Sequence, residues 1–166
     1  MPPYAKCWCL ECSFPLSLRS ITMSHLNLQT ANAIGNRALA VGREIKAAPL
    51  TVAVLDAGGH LISLQREDGA SLLRPQIAIG KAWGALALGK GSRLIAADAQ
   101  QRPAFIGAVN NLAQGSLVPA PGGVLIRDDR GEVIGAVGIT GDTSDIDEQC
   151  AVSALESLGL KADAGA

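Results

Sequence analysis

Aromatic side chains are nearly missing: two Phe, two Trp and one Tyr in 166 residues. So sparse a set offers no row of stacking platforms for bases. A net charge of −1 leaves no basic footprint for nucleic acid or an anionic membrane surface. Long apolar runs are absent too, and none approaches the roughly 20 residues of a membrane-spanning helix. Histidine is limited to His25 and His60. There is no HxxxH, no HExxH and no mixed Cys/His cluster, so no protein-built metal site is expected. Without GxSxG, and with so little histidine, a serine or cysteine triad has no support. The "GKGSR" stretch at Gly89–Arg93 lacks the flanking pattern of a phosphate loop.

Cysteine is sparse where it would matter for a fold. Three of the four, Cys7, Cys9 and Cys12, fall in residues 1–22, and Cys150 stands alone in the remainder. No disulfide framework follows, and the cytoplasm is the default compartment. The C-x-C-x2-C cluster has the chemistry to hold a soft metal, but no fourth partner lies nearby. Residues 1–22 show no periodicity and make a poor secretory signal. They are expected to be an unstructured or non-native extension ahead of Met23. The folded domain is expected over 23–161, with 162–166 as a frayed tail.

What is present is a globular composition: 48% hydrophobic, 17% charged and 19 glycines, enough for one domain with one sizeable core. Asn27 can cap a helix over Leu28–Ala48 that Pro49 ends. Ala31, Ile34, Ala38, Val41 and Ile45 form its apolar stripe. "TVAVLDAGGHLISLQR" reads as a hairpin, with Asp56-Ala57-Gly58-Gly59 as the turn. Val124–Arg127 and Val133–Ile139 repeat that plan around Asp128-Asp129-Arg130-Gly131. Between the hairpins a helix runs from Pro75 to Gly89, with Ala78, Ala82 and Ala85 as a small-residue face. Further helices follow at Ser92–Gln101 and Pro103–Ala113, and "GSLVPAPGG" suggests a short edge strand. A last helix, capped by Ser144 or Asp145, runs to Gly159. Hairpins and helices in separate groups predict an α+β sandwich with helices against a central antiparallel sheet.

Lys81 is the most informative residue. It is the only charge between Arg74 and Lys90, so it must snorkel, find an acid, or accept a lowered pKa. Acids gather at "GAVGITGDTSDIDEQ", Gly135–Gln149. Asp145, Asp147 and Glu148 would complement a helix N-terminus, which is a complete structural account. They equally suit a partner role toward Lys81, a basic ligand group or a neighbouring subunit. Arg66-Glu67-Asp68-Gly69 reads as a loop that gains interest only if it faces Lys81. Gly122-Gly123 reads either as a close backbone approach or as a loose strand entry.

The segments "VAVLDAGGHLISLQREDGA", "IAIGKAWGALALG" and "PGGVLIRDDRGEVIGAVGITGDTSDIDEQCAVSAL" resemble the GlcG/HbpS-like family, which also supplies the PduO C-terminal domain. The likeness spans roughly residues 26–158. It implies about five antiparallel strands flanked by helices in a profilin-like three-layer arrangement. It implies a homo-oligomer and a small-molecule ligand, with haem as a possible cofactor. Lys81 and Asp147 match the family's lysine and acid and are the catalytic candidates; Arg66, Asp68 and Gly69 match its R-x-D-G segment. The ligand-binding set that follows is Arg66, Asp68, Gly69, Lys81, Gly123, Thr143, Asp147 and Glu148. This chain departs in having no histidine within its first helix, and "WGALALGKGSRL" replaces the family's threonine- and proline-containing pattern. Three functions stay open. One is an oligomer binding haem or another planar or organic-acid ligand; one is a cofactor-free enzyme using Lys81 with Asp147 or Glu148; one is a structural accessory oligomer.

Overall fold

The computed structural model describes residues 25–165. The expectations for residues 1–22, the three-cysteine cluster and Met23 lie outside them. The elements are α1 (Leu28–Glu44), β1 (Thr51–Asp56), β2 (Leu61–Arg66), α2 (Arg74–Leu88), α3 (Ser92–Gln101), α4 (Pro103–Leu112), β3 (Gly123–Arg127), β4 (Val133–Thr140), α5 (Ser144–Ser157) and β5 (Lys161–Asp163). The strands form one antiparallel sheet in the order β2-β1-β4-β3-β5. Each hairpin stays paired, and β1 against β4 joins the two. No described helix is long and apolar enough to cross a membrane.

Both hairpins turn by one device. The Gly59 N–H bonds to Asp56 O at 3.0 Å, and the Gly131 N–H bonds to Asp128 O at 3.0 Å. Each glycine is left-handed, with φ of 80° and 85°, where a Cβ would be strained. The pairing register slips beside each turn, at Leu55 and at Arg127, as a bulge there requires.

Strand alternation separates two cores. Val52, Val54, Val124, Ile126, Val137 and Ile139 face α1 and α5, where Ile34, Ala38, Ala151 and Leu155 meet them. Leu55, Leu125 and Ala136 face α2 at Ala82 and Ala85. The result is three layers. On the α2 side glycines of the sheet let the helix main chain approach closely. A Cβ on Gly138 would overlap Ala78 O and lie 2.9 Å from Ala82 N. The small-residue face of α2 is therefore spent on the chain's own sheet.

Four expectations change. Helix α1 stops at Glu44 rather than Ala48, because Lys46 turns left-handed (φ 59°) and Ala47 N–H reaches Gly42 O. Ile45, placed on the buried stripe, is consequently exposed. "GSLVPAPGG" forms no edge strand of its own: Val118 N–H reaches Gly80 O at 3.3 Å, on a helix, and only its end joins the sheet, where Gly122 O accepts the Ile139 N–H at 2.9 Å and Gly123 opens β3. The expected frayed tail instead supplies most of β5, fastened to β3 by Arg127–Asp163 at 2.8 Å.

Gly138→Ala should cost about 3 kcal/mol or more, since backbone cannot move aside for the new methyl. Gly84→Ala, whose methyl would meet Leu117 at an ordinary 3.4 Å, should be neutral or stabilising by up to about 1 kcal/mol. Urea denaturation of both variants measures the difference.

Candidate functional site

Lys81 lies midway along α2, on the face that meets the sheet. Leu73 precedes the helix, Pro75 occupies its first turn, and left-handed Gly89 closes it. The Lys81 side chain runs past the strand entry at Gly122–Gly123 to the joint where β4 hands over to α5. There Nζ donates to Asp147 Oδ2 at 2.8 Å and to Ile139 O at 2.9 Å. Lys81 is 2% and Asp147 1% exposed. The second carboxylate oxygen of Asp147 accepts the Asp142 N–H at 3.1 Å. The pair closes within one chain.

Gly122 is the lid over this pair. At φ 113° it holds a conformation that other residues rarely adopt. A Cβ there would lie 3.1 Å from Lys81 Nζ and 2.7 Å from Ile139 O. Gly123 packs against the main chain of Lys81 and donates its N–H to Ser92 Oγ at 2.7 Å. Close backbone approach, not a loose strand entry, explains both glycines.

Burial pulls the Lys81 ammonium below its ordinary value, and the adjacent Asp147 carboxylate pushes back. Burial likewise raises the Asp147 carboxyl, while Lys81 and the Asp142 N–H oppose the rise. Each charge thus offsets much of the other's desolvation. Cys150, one turn further along α5, is buried, and its thiol is pushed up to about 11 by that burial.

Other charges surround the joint. Arg74 donates to Thr140 Oγ1 at 2.7 Å and to Gly141 O at 3.1 Å. It was not among the expected site residues, although it stands seven positions, two turns, before Lys81. Arg93 bridges Glu148 Oε1 at 2.8 Å and Asp145 Oδ1 at 2.6 Å. Glu148 is buried, and its Oε2 makes no hydrogen bond among the described residues. Thr143, rather than Ser144 or Asp145, caps α5; its Oγ1 accepts the Ile146 N–H at 3.5 Å.

The R-x-D-G segment is not brought to Lys81. Arg66 closes its own loop by donating to Ala70 O at 3.0 Å. Arg66 and Asp68 line a separate cleft of about 390 Å³ with Arg43 and Glu67, and Gly69 (φ 83°) sits against Pro49. A larger cleft, about 480 Å³, opens at the hairpin-turn end of the sheet. His25 stands on it beside Leu26, Ala57, Val133 and Ile134, with Asp56, Asp128 and Arg130 among its polar lining. His60 is exposed and lies 3.3 Å from Asp56. Among the described residues no group of three or more His, Cys, Asp or Glu is disposed to hold a metal ion.

The model of the family "Haem degrading protein HbpS-like" matches residues 26–156. The chain belongs to the HbpS-like family. It is 34% identical over 108 residues to an uncharacterized 15.0 kDa protein from the dhaT-dhaS intergenic region of Citrobacter freundii, covering 65% of this chain and 75% of that one. Three solved structures share the fold. The PduOC:heme complex superposes with a TM-score of 0.74 at 23% identity, over 82% of this chain and 97% of that one. Klebsiella pneumoniae ORFY gives 0.72 at 27%, over 81% and 90%. HbpS gives 0.70 at 24%, over 82% and 92%. The α+β fold, a five-stranded antiparallel sheet with five helices, matches that of these structures.

Asp142 tests how the joint is fastened. Its carboxyl is held below the usual carboxylate value, first by the Ala48 N–H and then by the Thr143 N–H. A lowered folded-state pKa stabilises above the unfolded value, and that stability is lost as pH falls through the folded value. Asp142→Asn should therefore lower the melting temperature at neutral pH. It should also flatten the loss of stability below about pH 4, as read from thermal melts across pH.

Proposed function

We propose that this protein binds haem, or a planar ligand of similar size, in the cleft beside His25, and does so as a homo-oligomer. The position of His25 carries the reading. Its side chain is exposed at the cleft of about 480 Å³ that Leu26, Val133 and Ile134 also line. An imidazole beside apolar side chains is the donor set that a haem iron takes. A volume of about 480 Å³ falls in the range of small-molecule sites, roughly 300–1,000 Å³. Family membership supports the same ligand class.

Residues fit the group unevenly, and the fit predicts its orientation. His25 would hold the iron, and Leu26, Val133 and Ile134 would cover the ring. Asp56, Asp128 and Glu132 line the same cleft, so the ligand's own carboxylates would turn to Arg130 or to water. Haem bound there would supply a redox-active iron, while His25 orients it and the apolar floor excludes water from one face.

In this reading Lys81 and Asp147 serve as framework. Their polar atoms are spent on each other, on Ile139 O and on the Asp142 N–H, and neither residue lines the clefts described above. Gly123, Thr143 and Glu148 belong to that framework. Arg66, Asp68 and Gly69 shape a separate loop.

Haem titration of the purified protein, followed at the Soret band, tests the proposal. Wild type should give a saturable shift. His25→Ala should weaken binding about tenfold or more, and His60→Ala should leave it near wild type. No Soret change in wild type, or full binding in His25→Ala, would contradict it.

A further inference from the structure

A third cleft, of about 390 Å³, opens beside α2, off the face pressed on the sheet. Gln76, Ile79 and Trp83, spaced by three and four, line its helical wall, and Gln114, Ser116 and Val118 line the other. The two walls are held together by the chain itself. Gly80 lets the loop come close: a Cβ there would lie 2.6 Å from Val118 Cγ2 and 3.1 Å from Ser116 O. The Val118 N–H donates to Gly80 O at 3.3 Å, and Asn110 Oδ1 accepts the Leu117 N–H at 3.1 Å. Leu117 is buried with Ile95 and Ile106. The cleft is thus formed before any ligand arrives.

Its chemistry differs from that of the other two. The cleft beside His25 carries Asp56, Asp128, Arg130 and Glu132, and the one at Arg66 carries Arg43, Glu67 and Asp68. This one has no charged lining residue. Half-buried Ile79, Trp83 and Val118 supply apolar surface. The side chains of Gln76, Gln114 and Ser116 make no hydrogen bond among the described residues. Gln114 also sits where glycine is the usual choice. Its N–H donates to Asn111 O at 3.1 Å and the Gly115 N–H to Asn110 O at 2.9 Å, the helix-ending pattern whose first left-handed residue is most often glycine. Gln114 holds φ 52° there, which a residue with a Cβ adopts at a cost. The fold itself makes no use of the amide placed at that position.

We infer that this cleft binds a small, uncharged, planar molecule bearing a carboxamide or an equivalent adjacent donor and acceptor. A glutamine amide offers one acceptor oxygen and two N–H donors. It therefore pairs edge to edge with another amide through two hydrogen bonds, as it does with the donor–acceptor edge of adenine. Trp83, Ile79 and Val118 cover the flat apolar part of the molecule. A carboxylate in the same place would lose water against apolar side chains and gain no cation. The volume lies within the range of small-molecule sites. This site shares no lining residue with the cleft beside His25, so it stands or falls independently of haem.

Benzamide and benzoate, alike in shape and different in charge, test it by backbone-amide NMR of the full chain. Benzamide should give saturable shifts confined to residues 76–83 and 114–118. Benzoate should bind at least about tenfold more weakly. Gln114→Gly suits the left-handed backbone, so its melting temperature should equal or exceed wild type. The same variant should weaken benzamide binding about fivefold or more, the loss of one or two hydrogen bonds. Gln76→Leu should weaken it in the same direction. Four results would each overturn the site: no saturable shift, shifts centred on Leu26, Val133 and Ile134 instead, equal affinity for benzoate, or undiminished benzamide binding in Gln114→Gly.

Discussion

A single buried ion pair, Lys81 with Asp147, ties the two helical layers together across the end of the sheet. Its partners come from α2 on one face and α5 on the other, and they meet where β4 ends. Moving two charges out of water costs several kcal/mol per ion. Direct contact at 2.8 Å, the carbonyl of Ile139 and the Asp142 N–H offset that cost only if all four groups keep their places. The pair therefore demands that α2, β4, α5 and the Gly122 lid hold one arrangement. Gly122 and Gly123 are small for this reason: a side chain at either would strike Lys81 or its main chain.

The same closeness shapes the outside of the molecule. Because α2 presses its small face on the sheet, its other side is free to carry Trp83 and Ile77 into an apolar cleft. Helix α4, which among the described elements packs on α3 and is tied to the loop after it through Asn110, projects beside that cleft. At the far end of the sheet the two Asp-x-x-Gly turns lie near one another and frame the cleft that holds His25. The buried ion pair, the apolar face of α4 and the cleft beside His25 thus occupy different parts of one sandwich.

Much of this was legible in the sequence, for physical reasons that differ by element. The hairpins were readable because a left-handed glycine after Asp admits few alternatives. Lys81 announced a partner because an isolated ammonium in an apolar helix has few other outcomes. Asp147 was singled out by the family resemblance rather than by period, since Glu148 is buried on the same helix. Less readable were features whose stability comes from elsewhere in the chain. Strand β5 has three residues and exists because β3 offers an open edge with Arg127 on it. The left-handed turn at Lys46 uses a residue that carries no such signal. Arg66, Asp68 and Gly69 match a family motif, but sequence proximity could not say that Arg66 would close its own loop on Ala70 O and line a separate cleft with Asp68. His25 lies before the first helix, and only the fold reveals the cleft beside it.

The account stands on the coupling between Lys81 and Asp147, and a double-mutant cycle measures that coupling directly. Lys81→Met and Asp147→Leu should each destabilise the protein by about 3–5 kcal/mol, because each strands a buried charge. The double variant replaces both charges with apolar groups, so it should cost far less than the sum, with a coupling energy of about 2 kcal/mol or more. Additive losses within about 0.5 kcal/mol would mean that the two groups act independently, and the central claim would fail.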